Sequence, residues 1–211
     1  MRTDADDTSQ HADGQRACHD DAMELPAQRL AAMLAASPPR AGATRVLAID
    51  GRSGAGKTTL ALALAASLDA PVVSLEDLYG GWDGLEHGVT LLASAVLRPL
   101  AEGAAAHVPR YDWDVGAWAT PWTLEPTECL IVEGAGAGAR VLAPYTSVLV
   151  WVELASARRR ERALARDGER LYGPHWQRWA AQEDDYVARE HPIDRADLVI
   201  DAEDPEELLA D

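Results

Sequence analysis

Arg45-Val46-Leu47-Ala48-Ile49-Asp50-Gly51-Arg52-Ser53-Gly54-Ala55-Gly56-Lys57-Thr58-Thr59-Leu60 is the stretch on which the fold turns. Its opening six residues are an apolar, β-rich run, a glycine-rich turn follows, and Thr58–Leu68 is strongly helical, so the order is strand, loop, helix. Gly51, Gly54 and Gly56 permit the backbone angles and close approach by which successive N–H groups surround phosphate oxygens. Lys57 adds a mobile positive charge, Thr58 offers a hydroxyl to Mg²⁺, and the following helix directs its positive end at the same anion. Arg52, Ser53 and Ala55 contribute through their backbone, and Thr59 continues the segment into the helix. A glycine-rich turn with an incidental Lys needs neither a buried strand before it nor a good helix after it. Both are here, so Gly51–Thr59 predicts nucleotide binding.

Outward from this unit, Pro71–Leu75, Leu130–Val132 with its flanks, Ser147–Val152 and Asp197–Ile200 read as further short apolar strands, with helical patterns between most of them. Continuous apolar strands separated by helices predict a mainly parallel five-stranded sheet covered on both faces. Ligands of such α/β folds sit at the carboxyl ends of the strands. Gly103–Glu125, rich in Trp, Pro and Tyr, breaks the alternation and reads as an inserted hairpin or loop. Residues 1–24 are Asp-rich, lack apolar periodicity and read as a disordered tail. Leu25–Ala36 reads as a helix closed by Ser37-Pro38-Pro39, and 25–211 as a single domain.

Composition narrows the function. A formal net charge of −16 disfavours binding to DNA or RNA, whose backbones are held by Lys and Arg. Apolar runs such as Val148–Val152 are far shorter than the ~20 residues a membrane helix needs, and no charged-then-apolar leader opens the chain, so a cytoplasmic location is expected. Cys18 and Cys129 form neither a disulfide framework nor a metal-ligand spacing, and the six His show no zinc pattern. Seven Trp stand in for the aromatic bulk of a chain without Phe.

With the glycine loop and the acids that follow the second and third strands, the chain resembles the uridine kinase and phosphoribulokinase group over about residues 45–201. That resemblance implies a P-loop NTPase three-layer α/β/α sandwich with a lid helix, and transfer of the γ-phosphoryl of ATP, with Mg²⁺, to a small-molecule hydroxyl. Glu76-Asp77-Leu78-Tyr79 is similar to the family's segment carrying the catalytic base. The register puts Glu76 at the base position, also near Mg²⁺, and Asp77 beside it is open to the same role or to capping a helix. Tyr79, and Trp82-Asp83 at a shorter spacing than in uridine kinases, fall where the family meets its nucleoside. Pro109-Arg110-Tyr111-Asp112-Trp113 is similar to its PxYD segment, although the His and Arg that normally follow are missing. Tyr111, Asp112 and Trp113 are therefore candidate acceptor contacts, while the acceptor's identity stays open. Leu130-Ile131-Val132-Glu133-Gly134 is similar to the family's strand ending in an acid, which implies Glu133 as a Mg²⁺ ligand, directly or through water.

Arg158–Asp167 is the one basic concentration in an acidic chain and resembles the family's lid. Residues 158, 162 and 166 share a helix face at i, i+4 and i+8, with Arg159 off that stripe. Arg162 and Arg166 are the expected catalytic pair beside Lys57, stabilising charge on the transferring phosphoryl; Arg158 and Arg159 fit a solvated helix better. Tyr172–Arg189 reads as an amphipathic helix with Trp176 and Trp179 in packing roles. The expected partners are a nucleotide and a small acceptor, nucleoside-like, sugar or antibiotic, with self-association left open. A nucleotide-dependent binding protein with little transferase activity is the competing reading.

Overall fold

Arg45–Asp50 (β1) occupies the centre of the sheet because it is apolar on both faces. Val46 and Ala48 point into one buried cluster and Leu47 and Ile49 into the other, the period-two alternation of an extended chain. The computed structural model describes residues 27–168 and 172–203. The tail expected at 1–24, the helix start at Leu25 and the acidic end beyond 203 lie outside the described residues.

Around β1 the sheet runs β2-β5-β1-β6-β7, with β2 at Val72–Ser74, β5 at Cys129–Glu133, β6 at Val148–Glu153 and β7 at Leu198–Asp201. Every neighbouring pair is parallel, so all five predicted strands are present, displaced by a residue or so at their ends. On one face pack α1 (residues 27–36), through Leu30 and Leu34, and α2 (Lys57–Leu68), through Leu60 and Leu64. On the other lie α3 (Leu85–Leu91), a π-helical stretch at Leu92–Leu97 and α4 (Arg98–Ala101), which contribute Leu85, Val89, Val96 and Leu100. Trp179 and Tyr186 of α6 (Trp176–Glu190) complete that layer. The lid-like helix α5 is Ser156–Asp167. None of the helices of the described residues is long and apolar enough to cross a membrane.

The predicted insert is an antiparallel hairpin, β3 (Ala106–Asp112) and β4 (Ala117–Leu124), whose register shifts between Val108 and Arg110. Pro109 sits at the shift, where a residue without an N–H costs no ladder bond. Val108 and Leu124 anchor the hairpin in the core.

Asp50, the last residue of β1, has no exposure to solvent. Its Oδ1 accepts from the N–H groups of Gly51 at 2.7 Å and Gly136 at 3.0 Å, and its Oδ2 from Gly138 N–H at 2.9 Å and from the Tyr186 hydroxyl. A Cβ at Gly138 would stand 2.8 Å from Asp50 Oδ2, which is why that position carries none. The carboxylate thus ties the start of the glycine loop to the loop after β5 and to α6.

Asp50→Ala would leave these donors buried and unpaired, at about 1–3 kcal/mol per orphaned group. With four donors orphaned, urea unfolding should show a loss of about 4 kcal/mol or more, and an unchanged midpoint would refute the role. Burial pushes the Asp50 carboxyl upward, outweighing its hydrogen bonds. The folded state then holds the proton more tightly than the unfolded chain, so the Asp50 contribution is full below the ordinary aspartate range and is lost as pH rises through the folded value. The stability margin of the parent over Asp50→Asn should accordingly shrink as the pH is raised from about 4.

Candidate active site

Gly56 (φ 109°) sits at the N-cap of α2 in a left-handed conformation, and it offers no side chain to cap the helix. No acidic residue lies in the first turn, so the free N–H groups and the positive end of a 12-residue helix face outward, the arrangement that receives an anion. Gly54 (φ 81°) passes so close to the backbone of Arg159 that a Cβ there would collide with it. Buried Lys57 curls under the loop, donating from Nζ to the Arg52 carbonyl at 3.0 Å.

At the end of β5, Glu133 is 3% exposed, and its described hydrogen-bond partners are hydroxyls: Ser74 Oγ donates at 2.6 Å and Thr58 Oγ1 at 3.4 Å. A buried carboxylate beside a Thr hydroxyl and an open phosphate site fits Mg²⁺, which takes one or two protein oxygens and fills its octahedron with phosphate and water. Consistent with so sparse a set, the described residues contain no cluster of three His, Cys, Asp or Glu side chains that could hold a metal by themselves.

A cavity of about 220 Å³ opens from the loop toward the hairpin. Ser53, Gly54, Lys57, Thr58 and Glu133 line it together with five rings, those of Tyr79, Trp82, Trp113, Tyr172 and Trp179. Glu76 and Arg166, 3.5 Å apart, line it as well. Asp77 does not line this cavity. Burial pushes its carboxyl up, the Arg110 charge pulls it down and the Glu133 charge adds to the rise.

The arginine helix is turned differently from the expected stripe. Arg158 is exposed and pairs with Glu161 at 3.2 Å, whereas Arg159, read from the sequence as solvated, is buried against the glycine loop. Its Nε donates to the Leu154 carbonyl at 3.0 Å and its Nη1 to the Ser53 carbonyl at 3.4 Å. The inward face is therefore 159, 162, 163 and 166, an i, i+3, i+4, i+7 pattern that Ala163 marks in the sequence. Arg162 and Arg166 border a second recess with Gly54, Gly56, Lys57, Thr58 and Thr59. Arg162 Nη1 is buried with no hydrogen-bond partner among the described residues. Burial, with Arg158 nearby, pulls the Arg162 guanidinium below its ordinary range.

Three expected acceptor contacts have other duties. Asp83 is exposed and pairs with Arg178. Asp112 Oδ1 accepts from the N–H groups of Asp114 and Val115, both at 3.0 Å, and so closes the hairpin turn. The Tyr111 ring packs edge-on to Trp113 and Trp118 and stays outside the cavity lining. Tyr79, Trp82 and Trp113 do line it.

Glu183 of α6 escaped the sequence reading. It is 1% exposed, accepts from the Ser53 N–H at 2.6 Å and from Trp179 Nε1 at 3.0 Å, and lies 4.0 Å from Arg159 Nη1. Burial pushes its carboxyl up against the pull of Lys57 and Arg159. Arg52 pairs with Asp184 and the Tyr172 hydroxyl donates to Ser53 Oγ at 2.7 Å, so α6 and the segment before it clamp the outer side of the loop. The acid-rich Gln182-Glu183-Asp184-Asp185 run was the available sign, though nothing local separates its buried member from its exposed ones.

No family model matches the sequence, and no curated protein matches it. Among solved structures, one described as a possible uridine kinase from Bacillus stearothermophilus superposes with a TM-score of 0.59 at 22% identity, covering 85% of this chain and 97% of its own. A second, provisionally described as a fructose transport system kinase from a Silicibacter species, gives 0.54 at 20% identity, covering 84% and 98%. The chain shares with both its parallel α/β fold, the architecture that its resemblance to the uridine kinase group implied.

Proposed function

We propose that the protein transfers the γ-phosphoryl of ATP to a hydroxyl of a small molecule. The observation that carries this reading is a single cavity lined by residues of the glycine loop, by Glu76 and Arg166 and by five aromatic rings. A protein that only held a nucleotide would have little use for an acid, a base partner and so much aromatic wall beside the loop.

In this reading the loop N–H groups and Lys57 hold the β and γ phosphates. Thr58 and Glu133 would hold Mg²⁺, which when bound neutralises charge on the phosphates. Glu76 accepts the proton of the acceptor hydroxyl, a choice supported over Asp77 by its place in the cavity wall. Arg162 and Arg166 meet charge on the transferring group and, with α5 over the loop, exclude water.

Glu76→Gln should lower acceptor-dependent ADP formation by about 10²–10⁴-fold with nucleotide affinity retained, while Asp77→Asn should have a much smaller effect. The reverse ranking would move the base to Asp77. Arg162→Ala should cost on the order of 10²-fold in kcat, and Lys57→Ala should abolish turnover. Tight ATP binding by the parent protein with no phosphorylated product from any acceptor would favour a nucleotide-dependent binding protein instead.

A further inference from the structure

Five rings line the cavity, Tyr79, Trp82, Trp113, Tyr172 and Trp179, and they differ from those of a site that reads a polar ligand, because four of them, all but Trp82, have their polar atoms engaged within the protein. The Tyr79 hydroxyl donates to the Ala135 carbonyl at 2.9 Å and the Tyr172 hydroxyl to Ser53 Oγ at 2.7 Å. Trp113 Nε1 donates to the Glu76 carbonyl at 3.0 Å and Trp179 Nε1 to Glu183 at 3.0 Å. Nearby backbone is engaged as well, since Gln182 Nε2 donates to the Trp82 carbonyl at 2.7 Å. Ser74 Oγ donates to Glu133 and accepts from Glu76 N–H. Among the described residues no Asn, Gln or His side chain lines the cavity, and the chain contains no Asn.

A nucleobase edge or a ring of sugar hydroxyls buried against such walls would lose its water and find few partners, at about 1–3 kcal/mol for each unpaired group. A flat apolar body would lose nothing polar and gain stacking and edge contacts. The charged groups Glu76 and Arg166, 3.5 Å apart, line the same cavity.

Resting on the kinase reading of this cavity, we infer that the acceptor is an alcohol carried on an aromatic or similarly flat apolar body, held by ring faces with its hydroxyl toward Glu76, and not a nucleoside or free sugar recognised through its polar edge. The alcohol oxygen forms a bond to the γ-phosphorus as the bond from that phosphorus to the β–γ bridging oxygen breaks. ADP leaves with the electron pair, and the hydroxyl proton passes to the Glu76 carboxylate and then to solvent.

The test supplies the full-length protein with Mg-ATP and benzyl alcohol, 2-phenylethanol or indole-3-ethanol, beside uridine, cytidine and fructose. It reads ADP formation, product mass and tryptophan fluorescence. The aromatic alcohols should be phosphorylated with kcat/KM at least about tenfold above the polar set, the order expected of one lost aromatic contact pair. Trp82→Ala should raise KM for them about tenfold with kcat little changed, and Trp82→Phe should restore it. Uridine, cytidine or fructose used better than the aromatic alcohols overturns the inference and leaves the kinase reading standing. Saturable fluorescence quenching by the aromatic alcohols without any phosphorylation upholds the ligand class and removes the kinase reading. Neither turnover nor quenching by the aromatic alcohols overturns the inference, whatever Trp82→Ala does to folding.

Discussion

A carboxylate sealed from water, that of Asp50, is the point at which three segments far apart in the chain are brought into register. Burying it is unfavourable, and its hydrogen bonds offset that cost only if the donors stand where they do. The same requirement fixes the first turn of the phosphate-binding loop, the Gly134–Ala139 loop beside it and the approach of α6. A glycine at 138 follows from it, because a Cβ there would stand 2.8 Å from Asp50 Oδ2, whereas Gly136 is required by its φ of 100° and by Val89, whose Cγ2 a Cβ would meet at 2.7 Å.

From the opposite side the loop is held by charge. Arg159 and Glu183 are both buried, and each contacts Ser53, one through its carbonyl and the other through its N–H. A buried ion pair contributes little to stability unless its remaining hydrogen-bonding groups are satisfied. Here Leu154, Ser53 and Trp179 satisfy them, and the loop's backbone is part of the network. Trp179 also forms wall in the cavity, so the cavity's aromatic lining and the glycine loop are joined through Glu183.

Much of the fold is legible in the sequence because a strand covered on both faces must be apolar between its ends, as VLAI of RVLAID, CLIV of CLIVE and VLVWV of VLVWVE are. The loop is legible for a similar reason, since each of its residue types answers a separate local demand. The candidate site is legible only in part. Glu133 ends an apolar strand and Glu76 follows another, but whether Glu76 or Asp77 enters the cavity depends on the tight 3₁₀ turn Leu75–Leu78, which no periodicity announces. Asp112 reads as a ligand by its motif, yet a hairpin turn offers it two N–H groups closer than any substrate. The arginine helix is evident as a helix, while its rotation about its own axis is set by Arg159 and Ala163 packing inward.

The clamp on the loop also has a bearing on how the chain acquires its shape. Ser53 and Glu183 are separated by 130 positions, and Asp50 and Tyr186 by 136. Contacts so distant along the chain require a long closure to be made before they stabilise anything, and they form late relative to neighbouring turns. During synthesis the glycine loop emerges long before the helix that steadies it. The glycine loop is therefore steadied only once α6 is available, although its own sequence is made long before.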